Sequence, residues 1–276
     1  MLHIRLSAAL VAAAVSTSAW AQDRAADIDA LYDALGLPEI IEVMQEEGIV
    51  YGDSLGADML PGGASAEWQA VVAAIYDLET MNEEVRGAFG EAIEDSDLDA
   101  LLAFFTSERG ERIIGLEVSA RRAMLDEAVE EASKEAAALE VMDETPRYYA
   151  ITEFIDTNDL IESNVAGALN SSFAFYMGLI DGGAMPAGVD AETALQDVYA
   201  QEPDIRANTT EWVYAFLMMA YQPLSDEDLA AYQAFSETEA GAELNDALFL
   251  AFDGMFEDIS RALGLASSRF IITQEL

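Results

Sequence analysis

The stretch DLDALLAFFTSERG at residues 97–110 returns as DLAAYQAFSETEAG at 228–241, with seven identities in fourteen positions and no gap. A chain that spells one short helix and its following corner twice must find room for that corner twice. The pairing sets Leu98 against Leu229, Phe104 against Phe235, Ser107 against Thr238 and Gly110 against Gly241. The flanks repeat in the same order. PEIIE at 38–42 faces NDLIE at 158–162, and each is followed by a stretch read as a Gly/Pro loop, at 52–65 and 181–190. Acidic helix starts come next, Ala66-Glu67 and Ala191-Glu192, and later Ala88-Phe89 answers Ala215-Phe216.

This order predicts two tandem related units, 22–145 and 146–276. They meet where Pro146 stops the helix of the charged stretch 125–140. Two copies are too few for a solenoid, so a pseudo-symmetric packed pair is expected.

Apolar spacing sets the fold class. Leu98, Leu101, Leu102 and Phe105 fall at i, i+3, i+4 and i+7; Leu229, Tyr232 and Phe235 continue the theme, and Leu244, Leu248, Ala251, Met255 and Ile259 form another stripe. No run alternates polar and apolar residues between turn signals, so the chain is expected to be all-α.

The repeated stretch reads as a tight helix corner. Ser225 with Asp228, and Ser96 with Asp99, have the spacing of an acidic capping box. Ser107 and Thr238 can cap the helix that follows, which puts Gly110 and Gly241 in its first turn. Glycine there costs about 0.5–1 kcal/mol relative to alanine, so close approach to Phe104 or Phe235 is the expected return.

The N-terminus, MLHIRLSAALVAAAVSTSAWAQ, has a basic start at Arg5, an apolar run and an A-x-A site, which predicts a secretory signal over 1–21 cut after Ala21. The expected location is the periplasm. No later stretch is apolar for the ~20 residues that a bilayer span requires, so the exported chain reads as soluble.

Once that leader is removed, with Arg5 and His3, 11 basic residues face 53 acidic ones, and neither histidine nor cysteine remains. Histidine- and thiol-based catalysis and the zinc, copper and iron sites built on those ligands are thereby excluded, and disulfides with them. The charge repels nucleic acid and anionic membrane surfaces. A basic protein partner or a cation is the class it favours, unless the acidity serves only a salty habitat.

At this point the residues resemble a known family. Ser-Asp-Glu-Asp-Leu at 225–229, then Phe235, Thr238 and Gly241, are similar to the signature of the exported bacterial helical domain of unknown function 2059. That signature has a Ser-x-Glu-Glu-Leu start, an aromatic pair and a Ser-x-x-Gly corner. The first stretch matches through Leu98, Phe104, Phe105, Ser107 and Gly110, with Glu94 in place of the opening serine; the second has Ser236 at the second aromatic. The resemblance implies a helical fold in two divergent copies and export, and it implies no activity.

The remaining chemistry-bearing patterns are weak. DTNDLIE at 156–162 begins like a calcium loop but breaks at Leu160 and Ile161, so helix capping by Asp156 or Asn158 is the expectation. With 53 acids, carboxylate pairs are uninformative, and EDSD at 94–97 and SDED at 225–228 read as helix starts stabilised by the helix dipole. PGG at 61–63 and GG at 182–183 lack the lysine of a phosphate cradle and are candidates for a shared mouth. No cofactor and no catalytic residue is expected.

The functional expectation is a non-catalytic interaction or binding module. The alternative is a carrier or sensor of a small apolar or cationic ligand held between the units, with Phe173–Leu179 and Phe216–Tyr221 as walls. A carboxylate-only hydrolase ranks third.

Overall fold

The computed structural model describes residues 24–274, Ala187 excepted; the leader and its cleavage point after Ala21 lie outside the described residues. The described residues form helices and no strands. The helices are α1 (24–34), α2 (Leu37–Met59), α3 (Ala66–Ile75), α4 (Leu78–Ala92), α5 (Leu98–Phe105), α6 (Glu108–Ala123), α7 (Glu127–Met142), α8 (Pro146–Thr157), α9 (Leu160–Asp181), α10 (Ala191–Ala200), α11 (Glu202–Tyr221), α12 (Asp226–Ser236) and α13 (Glu239–Gln274). None is long and apolar enough to cross a membrane.

Short polar side chains start most of these helices. Ser65, Asp77, Ser107, Thr145, Asp190 and Ser225 each accept a hydrogen bond from the backbone N–H three residues on. Part of the acid excess thus sits at helix termini, where the dipole favours negative charge. The α5 cap departs from expectation. Asp97, not Ser96, accepts from Ala100 N–H, while Ser96 is buried and its carbonyl accepts from Arg24.

A second difference concerns 52–65. The helix α2 runs on to Met59, so the connection shrinks to residues 60–65. Gly48, Gly52 and Gly56, one per turn, form a groove for Tyr76, Val72 and Trp68 of the antiparallel α3 segment; a Cβ on any of them would lie within 2.4 Å of those side chains. Trp68 donates its indole N–H to the Gly52 carbonyl at 2.7 Å. These glycines pack helices rather than turn the chain. The second loop, 182–190, stands where expected, apart from residue 187.

Two apolar cores result, and each draws on both halves of the sequence. Leu31, Trp68, Met81, Phe89, Leu98 and Phe105 of the first half pack with Leu244, Ala251, Met255 and Ile259 of α13. The other core joins Ile113, Ala120 and Met124 around α6 to Ile151, Phe154, Val213, Leu217 and Tyr221 of the second half. The Pro146 boundary is a real helix break, with Thr145 as cap and Pro146 in the first turn of α8. Packing nonetheless crosses it freely.

The spine is α13, 36 residues and therefore about 54 Å long. Its most extensive partner is α9, and the two run parallel. Gly178 and Gly264 make this possible. A Cβ on Gly178 would sit 2.3 Å from the Arg261 carbonyl oxygen, and one on Gly264 would sit 2.1 Å from that of Phe175.

Candidate functional site

Each sequence-predicted motif residue has a definite place. Leu98 and Leu229 are buried, and Phe104 and Phe235 stack with ring centroids 4.0 Å apart. Ser107 Oγ and Thr238 Oγ1 each accept the N–H of the glycine three residues later at 3.1 Å, and both hydroxyls donate back to a carbonyl of the preceding helix, those of Phe104 and Phe235. A Cβ on Gly110 or Gly241 would lie 2.3 Å from that same carbonyl oxygen, so close approach is to backbone rather than to the ring. The two corners therefore meet at one aromatic hub, with Tyr232 stacked on Phe104.

Tyr232 leads from this hub into a cavity of ≈ 540 Å³ among α6, α8, α9, α11, α12 and α13, with Met44 of α2 at its edge. Its walls are chiefly aromatic and aliphatic: Phe154, Phe216, Leu217, Leu248, Phe249, Phe252 and Phe256. Leu160, Gly167 and Ala168 add to the apolar wall. The polar exceptions are Glu117, Asp253, three asparagines (158, 164 and 245), Ser171 and the two tyrosine hydroxyls of Tyr221 and Tyr232.

Glu117 is the chemical centre. Its Oε1 accepts the Tyr221 hydroxyl at 2.6 Å, and Tyr232 hydrogen-bonds it as well. Burial pushes the carboxyl from an ordinary 4.5 up to about 7, against the pull of the two tyrosines. Burial and the neighbouring Glu117 charge raise both tyrosines well above their usual range. Among the described residues no arginine or lysine acts on Glu117, although Arg121 is one turn along; that guanidinium pairs with Glu47 and covers the Trp212 ring at 4.7 Å.

Asp253 faces the same cavity, raised by burial and by the charge of Glu257. The Gly167 Cα approaches it so closely that a Cβ would be 2.4 Å from Asp253 Oδ1. Asn245 donates to the Asn158 carbonyl at 3.0 Å, and Asn158 donates from its side chain to the Phe154 carbonyl, closing the end of α8. Asn158, not Asp156, therefore serves the capping role expected of this stretch. Among the described residues no group of three or more His, Cys, Asp or Glu is arranged to hold a metal ion.

The two expected wall segments line adjoining hollows. Phe216, Leu217 and Tyr221 face the first, and Phe175, Tyr176 and Leu179 face a second of ≈ 740 Å³. Neither glycine pair proposed as a mouth lines them; Met59 and Met185, just outside those pairs, border the second. Sequence reasoning missed Glu117 and Asp253. The usable signal was an acid on an apolar helical face, Ile113-Glu117-Ala120, and an acid inside an aromatic run, Phe252-Asp253-Phe256.

Fold and site together define an all-helical protein with an acid-bearing apolar cavity. Residues 79–138, from α4 through most of α7 and including the first corner, match the family described as "Uncharacterized protein conserved in bacteria (DUF2059)". This supports the family resemblance carried by Leu98, Phe104, Phe105, Ser107 and Gly110. No curated protein and no solved structure matches this chain.

Proposed function

We propose that this chain is a non-catalytic binding protein, a carrier or sensor that acts in the periplasm and takes a small cation with an apolar body into the cavity beside Glu117. The observation that carries this reading is a carboxylate held in an aromatic cavity with no cation against it among the described residues. An ammonium group there would gain both an ion pair and contact with ring faces. The strongly acidic surface, formal net charge −41, would concentrate cations around the entrance.

The frame for this site is, on our reading, two divergent copies of one unit paired about the Phe104–Phe235 stack. The support is the matching hydroxyl-to-glycine geometry at the two corners and the crossing of α6 and α13, each into the other half's core.

Calorimetric titration with tetramethylammonium tests the proposal. Binding to the wild-type chain should weaken at least tenfold in Glu117→Gln, since the ion pair is lost while the shape is kept. It should also weaken about tenfold per pH unit below 7, because ligand and proton compete for one carboxylate. Equal binding to both proteins would overturn it.

A carboxylate-only hydrolase is favoured by one observation, two acids in one cavity. An acid–base pair works when its environments push the two pKa values apart. Glu117 is raised to about 7 and Asp253 is raised by burial and by Glu257, so this second reading stands beside the first and the titration above separates the two.

A further inference from the structure

The cavity beside Glu117 shares part of its lining, on the α9 side, with the second hollow. Met44, Ala168, Ser171 and Phe256 line both it and the second hollow, so the two spaces adjoin across a shared wall. Their chemistry differs. The first holds Glu117 and Asp253, whereas the acid of the second, Glu47, is already paired with Arg121. Beyond the junction the second hollow is bounded by Phe175, Leu179, Met59 and Met185, a wall of rings, an aliphatic chain and soft thioethers that adapt to flexible apolar chains. The unpaired acids therefore lie in the first hollow, while the second, bordered also by Ser172, Gln201 and Ser260, offers a mainly apolar wall.

We propose that the ligand is a single-chain cationic amphiphile. Its amine or ammonium head sits at Glu117, and its alkyl chain passes between Met44 and Ser171 to lie against Phe175 and Leu179. This rests on the cation-binding reading above and adds the ligand's shape to it.

The test is a chain-length series of alkyltrimethylammonium ions, from methyl to dodecyl, titrated below their micelle concentrations against the full exported chain. Affinity should rise about threefold to fourfold per added methylene once the chain enters the second hollow. Ser172→Trp, at a residue that lines the second hollow and not the first, should abolish the gain for long chains while leaving tetramethylammonium binding within about twofold. Met59→Trp fills the second hollow from α2 and serves if the first variant fails to fold. Glu117→Gln should weaken every member by a similar factor.

A flat series with tetramethylammonium still bound would overturn the amphiphile and leave the compact-cation reading intact. Absence of binding across the whole series would overturn both. Chain-length gains that survive both tryptophans, or alkyl sulfates of equal length that bind equally well, would show the tail to lie elsewhere and also overturn the proposal.

Discussion

Glu117 makes stability depend on pH in the opposite sense to most acids. Its folded value of about 7 stands above the ordinary 4.5, so between the two the folded chain holds a proton that the unfolded chain has lost. Stability contributed by this group is complete below 4.5 and is lost as pH rises through 7. Glu117→Gln, which keeps an acceptor for Tyr221, should therefore match the wild type near pH 4 and exceed it by about 3 kcal/mol at pH 8, read from urea midpoints. Glu84, raised by burial and then by Asp258 across the α4–α13 contact, acts in the same direction. Asp77 and Asp190, lowered by the backbone N–H groups they cap, act in the other. None of this was readable from the sequence, where Glu117 is one acid among 53 and its partner Tyr221 is 104 residues away.

At the scale of elements, the corner is the most legible feature and also the easiest to break. Its helix, hydroxyl cap and glycine could be assigned from spacing alone, because the physics is local: a side chain caps the next turn and the missing Cβ leaves room for a carbonyl. Gly110→Ala and Gly241→Ala should each lower stability by about 1–3 kcal/mol, because the clash is with backbone and cannot be relieved by a rotamer change. Thermal melts of both variants check this, and unchanged midpoints would contradict it. The meeting of the two corners was not legible, since nothing in the sequence says that Phe104 must touch Phe235. A double-mutant cycle at those positions should give a coupling of about 0.5–1.5 kcal/mol. The end of α2 was misread for a related reason. Glycine signals both turns and close helix contacts, and only the α3 side chains in the groove tell them apart.

For the molecule as a whole, the acid excess governs how its few cations are used. Arg109 and Arg112 reach Asp228, Arg147 reaches Asp226, Arg122 reaches Glu42 and Arg206 joins Glu162 to Glu202, so the cations tie separate helices together. Such exposed pairs are individually weak, and a formal net charge of −41 sets self-repulsion among the surplus carboxylates against them. Raising NaCl from 0.1 M to 1 M should therefore raise the melting midpoint by about 3–6 °C in scanning calorimetry, because salt relieves more repulsion than it removes attraction. The helical class and the acidic surface were plain in the sequence; the exchange of α6 and α13 between cores was not, because it depends on contacts between residues far apart along the chain. That exchange has a consequence for biosynthesis. The core built around Trp68, Met81 and Phe89 is completed by α13, which lies far along the chain beyond the whole of α5 to α12, so during synthesis that apolar surface stays uncovered until α13 has been made. Folding of the first core therefore waits on a long-range contact, and the segments α1 to α5 carry exposed apolar surface until that contact forms.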